Sequence, residues 1–150
     1  MALQPWPVLR RNADAHPVPS LQYLLRAHGR SVTLDGVFGP RTDAAVRAFQ
    51  QAQRLTIDGA VGPLTWRALV IQVQQGDHGD AVAAVQGEFR YRAGTENPGL
   101  AQDGIFGPQT HAAVLDWQRL LHDADEPAMA VDGIVGLMTW QSLISGMYAG

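Results

Sequence analysis

Apolar positions recur with helical spacing in six short segments of this chain of 150 residues. In the first segment, Val18, Leu21 and Leu25 follow an i, i+3, i+7 pattern that places them on one helix face, and Gly29 marks the end of that helix. The same kind of spacing occurs in residues 42–49, 66–70, 82–89, 113–121 and 140–144. No segment keeps the alternation of a β-strand for long, so the pattern predicts an all-α protein.

The six helical segments are two copies of one unit. Residues 35–42, Asp-Gly-Val-Phe-Gly-Pro-Arg-Thr, return 68 positions later as residues 103–110 with few changes, and residues 58–66 return as residues 132–140. Short helices cannot each bury an apolar face alone, but three of them can share one core. The repeat therefore predicts two small three-helix-bundle modules in tandem, covering residues 1–70 and residues 71–150. Because the connection between them is short and partly apolar, we expect the modules to be in contact.

The spacing between the two copies grows along the chain, from 64 to 68 to 74 positions. This drift locates two insertions in the second module, near residues 94–102 and residues 122–130. Both stretches are polar and contain Pro or Gly, so we expect them to be surface loops.

Four related loops, Asp-Gly-x-[Phe/Val]-Gly-x-x-Thr, precede the second and third helical segments of each copy; we call them the first to fourth Asp-Gly loops. The Asp can accept a hydrogen bond from the backbone two residues on, and the first Gly tolerates positive φ. We expect the Phe or Val to pack in the core and the second Gly to let the backbone approach the next helix. The Thr hydroxyl and free N–H groups would then face outward at a helix start, which suits an anion or another polar group.

These loops, with the strings Ala45-Val-x-x-Phe-Gln50 and Ala113-Val-x-x-Trp-Gln118, resemble the three-helix peptidoglycan-binding domain family over nearly the whole chain, twice. The second copy opens with the family's Gly-x-x-Gly as Gly76 to Gly79. The first copy has Asn12 and Ala15 in place of these glycines, and the last loop has Leu137 in place of its proline.

The resemblance implies non-catalytic binding of bacterial cell-wall peptidoglycan or its muropeptides, which would target or anchor the protein, or a partner such as a wall hydrolase, to the wall. It implies ligand-binding positions in the loops at Asp35, Gly36, Thr42, Asp58, Gly59, Thr65, Asp103, Gly104, Thr110, Asp132, Gly133 and Thr139. The outward threonines and the non-repeating residues beside them are expected to set ligand choice; the latter are Arg41, Leu64, Gln109 and Met138. His111, beside Thr110, is the one histidine expected at the ligand surface. The alternative for each Asp and Gly is that it only builds the turn.

Aromatic positions are expected to be structural for the most part. The helical spacing of Trp66 and Trp140 with nearby leucines favours core packing over stacking on a sugar, and Trp117, which replaces Phe49, is also expected in the core. Trp6 lies between two prolines and could either cap the first module or stay exposed.

Composition and charge exclude several other classes. There is no Cys and no ligand-like spacing of the five His, so neither a metal site nor a cofactor is expected. The net charge of −3 argues against nucleic acid, although residues 1–70 carry +4 and residues 71–150 carry −7. No apolar run is long enough to span a membrane.

Catalysis also has little support, so we expect no enzyme activity. There is no Gly-x-Ser-x-Gly elbow, no Cys and no Lys, and nothing in the sequence pairs Glu88 with a second carboxylate. A protein–protein adaptor of a phage, secretion or injection apparatus remains the alternative function. The resemblance implies a location outside the cytoplasm or in the wall, yet Pro5 and Pro7 interrupt the N-terminal apolar stretch, so no signal peptide is expected here and the export route stays open.

Overall fold

The structure is a computed structural model that describes residues 3–93, 100–124 and 126–148. Those residues form six helices: α1 (Val18–Ala27), α2 (Pro40–Ala52), α3 (Pro63–Leu69), α4 (Asp80–Ala93), α5 (Pro108–Asp123) and α6 (Leu137–Ile144). Extended pairing within them is limited to isolated bridges, of which Leu9 with Val61 and Val73 with Val135 occupy equivalent places in the two halves. The all-α prediction is confirmed, with three helices in each half.

Four of the six helices start directly after an Asp-Gly loop. In α2, α3 and α5 a proline occupies the first turn, where its fixed φ suits a helix and its missing N–H removes no helical hydrogen bond. The α6 helix starts in the same way with Leu137 in place of proline. Each loop therefore ends at a defined helix start.

Tryptophan anchors the core of each half. Trp66 and Trp140 are fully buried, and their indole N–H groups donate at 2.8 Å to the carbonyl oxygens of Pro7 and Ile71. Trp6 is 6 % exposed and stacks on Trp66 with ring centroids 6.3 Å apart. Core packing of these tryptophans is confirmed, and Trp6 caps the first module.

The two modules pack together through α1 and α4, as their short connection predicts, and their buried apolar residues form one continuous cluster. The N-terminal arm crosses this junction, because the Leu3 N–H donates to Glu126 at 3.2 Å and Gln141 donates to the Gln4 carbonyl at 2.8 Å. The two halves thus hold a fixed arrangement, while the boundary at residue 70 stays a prediction.

The insertions of the second module agree in part with the expected surface loops: residues 100–102 and most of residues 126–130 are non-helical and lie at the surface. Residues 94–99 of the first insertion lie outside the described residues. In the second, α5 continues through His122 to Asp123, and Met129 is only 3 % exposed. This insertion therefore lengthens a helix and adds a core side chain, because its apolar residue has a place to pack.

Candidate functional site

Each Asp-Gly loop is shaped by one buried glutamine from the preceding helix. In the first loop, the Gln22 amide group donates to the Asp35 carboxylate at 3.0 Å, the Val37 carbonyl at 3.0 Å and the Thr42 hydroxyl at 3.2 Å. Its Oε1 accepts the Gly36 N–H at 2.9 Å. The side chain is fully buried. One amide therefore satisfies the inner polar groups of the whole turn.

The same arrangement recurs in the other three loops. The glutamines are Gln50, Gln86 and Gln118, each within 3.3 Å of its Asp carboxylate, of a loop carbonyl and of its Thr hydroxyl. No role is predicted for these glutamines from the sequence. The repeat in the sequence could have indicated them, because Gln22 and Gln86 occupy equivalent places in the two copies, as do Gln50 and Gln118.

The four loop threonines point inward, so the expectation of outward hydroxyls is wrong. Their exposed fractions are 2–5 %, and each hydroxyl accepts a hydrogen bond from the loop glutamine; they are Thr42, Thr65, Thr110 and Thr139. The reason is that each hydroxyl lies 3.0–3.2 Å from the glutamine Nε2, whose two hydrogens are shared among the Asp carboxylate, the loop carbonyl and the hydroxyl. These threonines build the loop and do not present a hydroxyl to a ligand.

The four loop aspartates, in contrast, are exposed: Asp35, Asp58, Asp103 and Asp132. In each, Oδ1 accepts the N–H two residues on at 2.9–3.0 Å, as the turn chemistry predicts. In the first three loops this N–H, and then the glutamine amide, hold the pKa of the carboxyl below 3.8. These three loops therefore display an exposed, ionised carboxylate.

The first glycine of every loop has φ between +71° and +76°, as expected, at Gly36, Gly59, Gly104 and Gly133. In the fourth loop a Cβ at Gly133 would also collide with the imidazole of His111, which packs across the turn and keeps a buried, unpartnered Nδ1 among the described residues. The second glycine differs from expectation. In all four loops it is extended, near φ −96°, with open space where a Cβ would lie.

Shallow grooves flank the second and third loops. One, of about 320 Å³, lies in the first module between Val8, Arg10 and Leu64, with Asp58 at its edge. Another, of about 190 Å³, lies in the second module beside Asp103 and includes Gln109. The loop residues that line the two grooves occupy matching positions in the second and third Asp-Gly loops. Among the other predicted residues, Arg41 is exposed beside the first loop and His111 is half-buried under the fourth.

A separate cluster of ionisable residues joins the modules away from the loops. Glu88 is 1 % exposed and accepts hydrogen bonds from Arg92 at 2.8 Å and from the Ser20 hydroxyl at 2.5 Å, while His16 Nε2 lies 2.7 Å from its carboxylate. A nucleophilic serine would have to donate to the histidine. Here the hydroxyl donates to the carboxylate, so the cluster is arranged as a structural ion-pair network.

The described ranges contain no group of three or more His, Asp or Glu side chains that could hold a metal ion. Within the same part of the chain, every helix is too short or too polar to cross a bilayer.

A sequence profile with the description "Putative peptidoglycan binding domain" matches residues 15–69 and residues 78–143, one segment in each half. The N-acetylmuramoyl-L-alanine amidase CwlM from Mycobacterium tuberculosis is 40 % identical over 77 % of this chain, which spans 29 % of that enzyme's length. The zinc D-Ala-D-Ala carboxypeptidase of Streptomyces albus G is 45 % identical over 33 % of this chain and 19 % of the enzyme.

A solved structure is also similar over part of the chain. It is a peptidoglycan-binding protein from Clostridioides difficile in complex with glutamine hydroxamate, 36 % identical over 42 % of this chain and 40 % of its own, with a TM-score of 0.42.

Proposed function

Because this chain belongs to the peptidoglycan-binding domain family, with one matched segment in each half, we propose that it binds cell-wall peptidoglycan through both modules without cleaving it. The observation that carries the proposal is the pair of grooves at the second and third Asp-Gly loops, one in each module. Both combine an exposed, ionised aspartate with apolar side chains at the loop rim. A surface of that kind suits the amide and amino groups of stem peptides and the polar edges of amino sugars.

The packing of the modules supports binding through both of them. The contact of α1 with α4 and the crossing N-terminal arm hold the two grooves at a fixed separation. Two weak sites on one rigid body gain avidity when the ligand is a polymer that reaches both, because the second binding event is intramolecular.

The absence of wall cleavage is proposed from the chemistry of the cluster around Glu88. Both of its carboxylate oxygens are occupied by Arg92, Ser20 and His16, and the group lies at the module junction. The similar region covers 29 % of the amidase and 19 % of the carboxypeptidase, so most of each enzyme lies outside it. In this proposal the chain contributes wall attachment outside the cytoplasm, and any hydrolysis belongs to a partner.

Sedimentation with purified sacculi tests the proposal. We expect the chain to be retained and to release no dye from dye-labelled walls. Leu64, which is 69 % exposed in the groove of the first module, offers a sharp variant. Leu64→Asp should lower retention several-fold, because it places a second carboxylate beside Asp58. Leu120→Asp is the matched control, at an exposed leucine of α5 that lines neither groove.

Failure of the wild-type chain to sediment, beside a wall-binding protein that does, would contradict wall binding and favour the adaptor interpretation. Dye release by the purified chain would contradict the non-catalytic part alone.

A further inference from the structure

Groove 1, the groove beside Asp58 in the first module, is lined by two opposite charges. Arg10 and Asp58 both line it, with Val8 and Leu64 as apolar walls and the exposed Thr56 beside them. Its volume of about 320 Å³ is enough for one amino-acid-sized group. This composition offers a cation, an anion and apolar contact within one small space.

The two charges of groove 1 do not neutralise each other directly. No nitrogen of Arg10 lies within 4.0 Å of an oxygen of Asp58, and the Arg10 side chain makes no hydrogen bond in the described part of the chain. Its charge is nevertheless near enough to help lower the pKa of Asp58, after the Ala60 N–H and the Gln50 amide. The Asp58 Oδ1 is occupied by the Ala60 N–H and by Gln50, both at 3.0 Å, whereas its Oδ2 accepts no hydrogen bond from the described residues. A guanidinium and a carboxylate that make no direct contact with each other therefore line the same groove.

The second module has different residues at the corresponding positions. Gln74 stands in place of Arg10, and Ile134 stands in place of Ala60, which lines the groove. The first change removes the cation, and the second adds three carbon atoms at the groove wall. The fourth loop thus keeps its aspartate but cannot offer the same pair of charges, so the two modules differ in what they can select.

We propose that groove 1 binds a zwitterionic amino-acid centre, namely the free end of a diamino-acid side chain in a peptidoglycan stem peptide, with its carboxylate on Arg10 and its ammonium on Asp58. This inference rests on the proposed function and adds the ligand class to it. The methylene groups of the side chain lie against Val8 and Leu64. A phosphate-rich polymer is disfavoured by Asp58, and a purely cationic side chain is disfavoured by Arg10.

Calorimetry of the wild-type chain with three muramyl tripeptides tests the ligand class. The first ends in meso-diaminopimelate, the second in its side-chain carboxamide, and the third in lysine, whose side chain ends in an ammonium without a carboxylate. We expect the first to bind about tenfold more tightly, in line with one charge-assisted hydrogen bond at an exposed site. The difference should shrink as NaCl is raised, because exposed charges are screened.

Two variants copy the second module into groove 1. Arg10→Gln should weaken binding of the diaminopimelate peptide about tenfold and leave the carboxamide peptide unchanged, whereas Ala60→Ile should weaken both by filling the groove. Arg11→Gln, at the next exposed arginine, which does not line groove 1, is the matched control and should match the wild type. Equal affinity for the three peptides, or an unchanged affinity in Arg10→Gln, would overturn the zwitterion site.

Sacculi sedimentation separates this inference from the proposed function. If sacculi retain the wild type but Arg10→Gln does not change the affinity for the diaminopimelate peptide in calorimetry, groove 1 is not the selective site. The proposal of wall binding is then unaffected. Loss of wild-type retention overturns the proposed function itself.

Discussion

Replacement of Gln50 by Met tests whether one buried amide holds an Asp-Gly loop in shape. The Gln50 amide group donates to Asp58 at 3.0 Å, to the Ala60 carbonyl at 2.9 Å and to the Thr65 hydroxyl at 3.2 Å, and it accepts the Gly59 N–H at 3.1 Å. Methionine has a similar length and fills the same space, but it can replace none of these hydrogen bonds.

The expected loss of stability follows from the burial of the partners. Asp58 is exposed and can bind water instead, whereas Gly59 and Thr65 are buried and would keep unsatisfied polar groups. Each buried group left without a partner costs about 1–2 kcal/mol, so Gln50→Met should lose roughly 2–4 kcal/mol of unfolding free energy. For a chain of this size the loss corresponds to a fall in Tm of roughly 5–15 °C.

Urea denaturation followed by far-UV circular dichroism measures the loss. Gln51→Met is the matched control, because Gln51 is the exposed neighbour on the same helix and should stay within about 0.5 kcal/mol of the wild type. An NMR titration gives a second readout: the pKa of Asp58 should rise, since the Gln50 amide is, after the Ala60 N–H, a cause of its lowering. A loss for Gln50→Met no larger than that of the control would refute the role assigned to the buried amide.

Three further predictions address the loops and the module junction. Gly133→Ala should lower Tm more than Gly36→Ala does, because both glycines have positive φ but, of the two, Gly133 alone faces the ring of His111. In thermal melts, the double variant of Gly133→Ala with His111→Ala should recover part of that difference. Glu88→Ala should cost about 3–5 kcal/mol in urea denaturation, because it leaves the Arg92 guanidinium buried without its carboxylate, and a loss below about 1 kcal/mol would contradict the buried pair. The carboxyls of the first three Asp-Gly loops have pKa values below 3.8 in the folded protein, so they contribute fully to stability above their unfolded pKa and lose that contribution as the pH falls through their folded pKa. The urea midpoint, measured from pH 6 to pH 2, should therefore decrease below about pH 4. Replacement of all three aspartates by Asn should make that decrease smaller.

Local features of the sequence were enough to predict the helices and the core of each module. The spacing of Val18, Leu21 and Leu25 predicts a helix because a buried face must repeat every three to four residues. Prolines at 40, 63 and 108 predict helix starts for a reason contained within one turn. The Asp-Gly pairs likewise predict positive φ at the glycine, which all four loops adopt.

The candidate site was predicted less completely, because a motif does not state which way its side chains point. Thr42 and its three equivalents were expected to meet the ligand, but they face the buried glutamine. Arg10 was not among the predicted site residues, because it lies far from Asp58 in sequence and enters groove 1 only when the N-terminal arm pairs with Val61. Such a contact depends on long-range packing, which leaves no local signal.

The sequence by itself therefore determined the repeat, the helix order, the buried faces and the turn chemistry, since each of these depends on residues within a few positions of one another. Only the tertiary structure decided which loop groups are buried, which grooves form, and how Glu88 of one module came to bind Ser20 and His16 of the other. The physical reason is that these features depend on how helices and arms distant in the chain pack together, and that packing is set by the shape of the whole molecule.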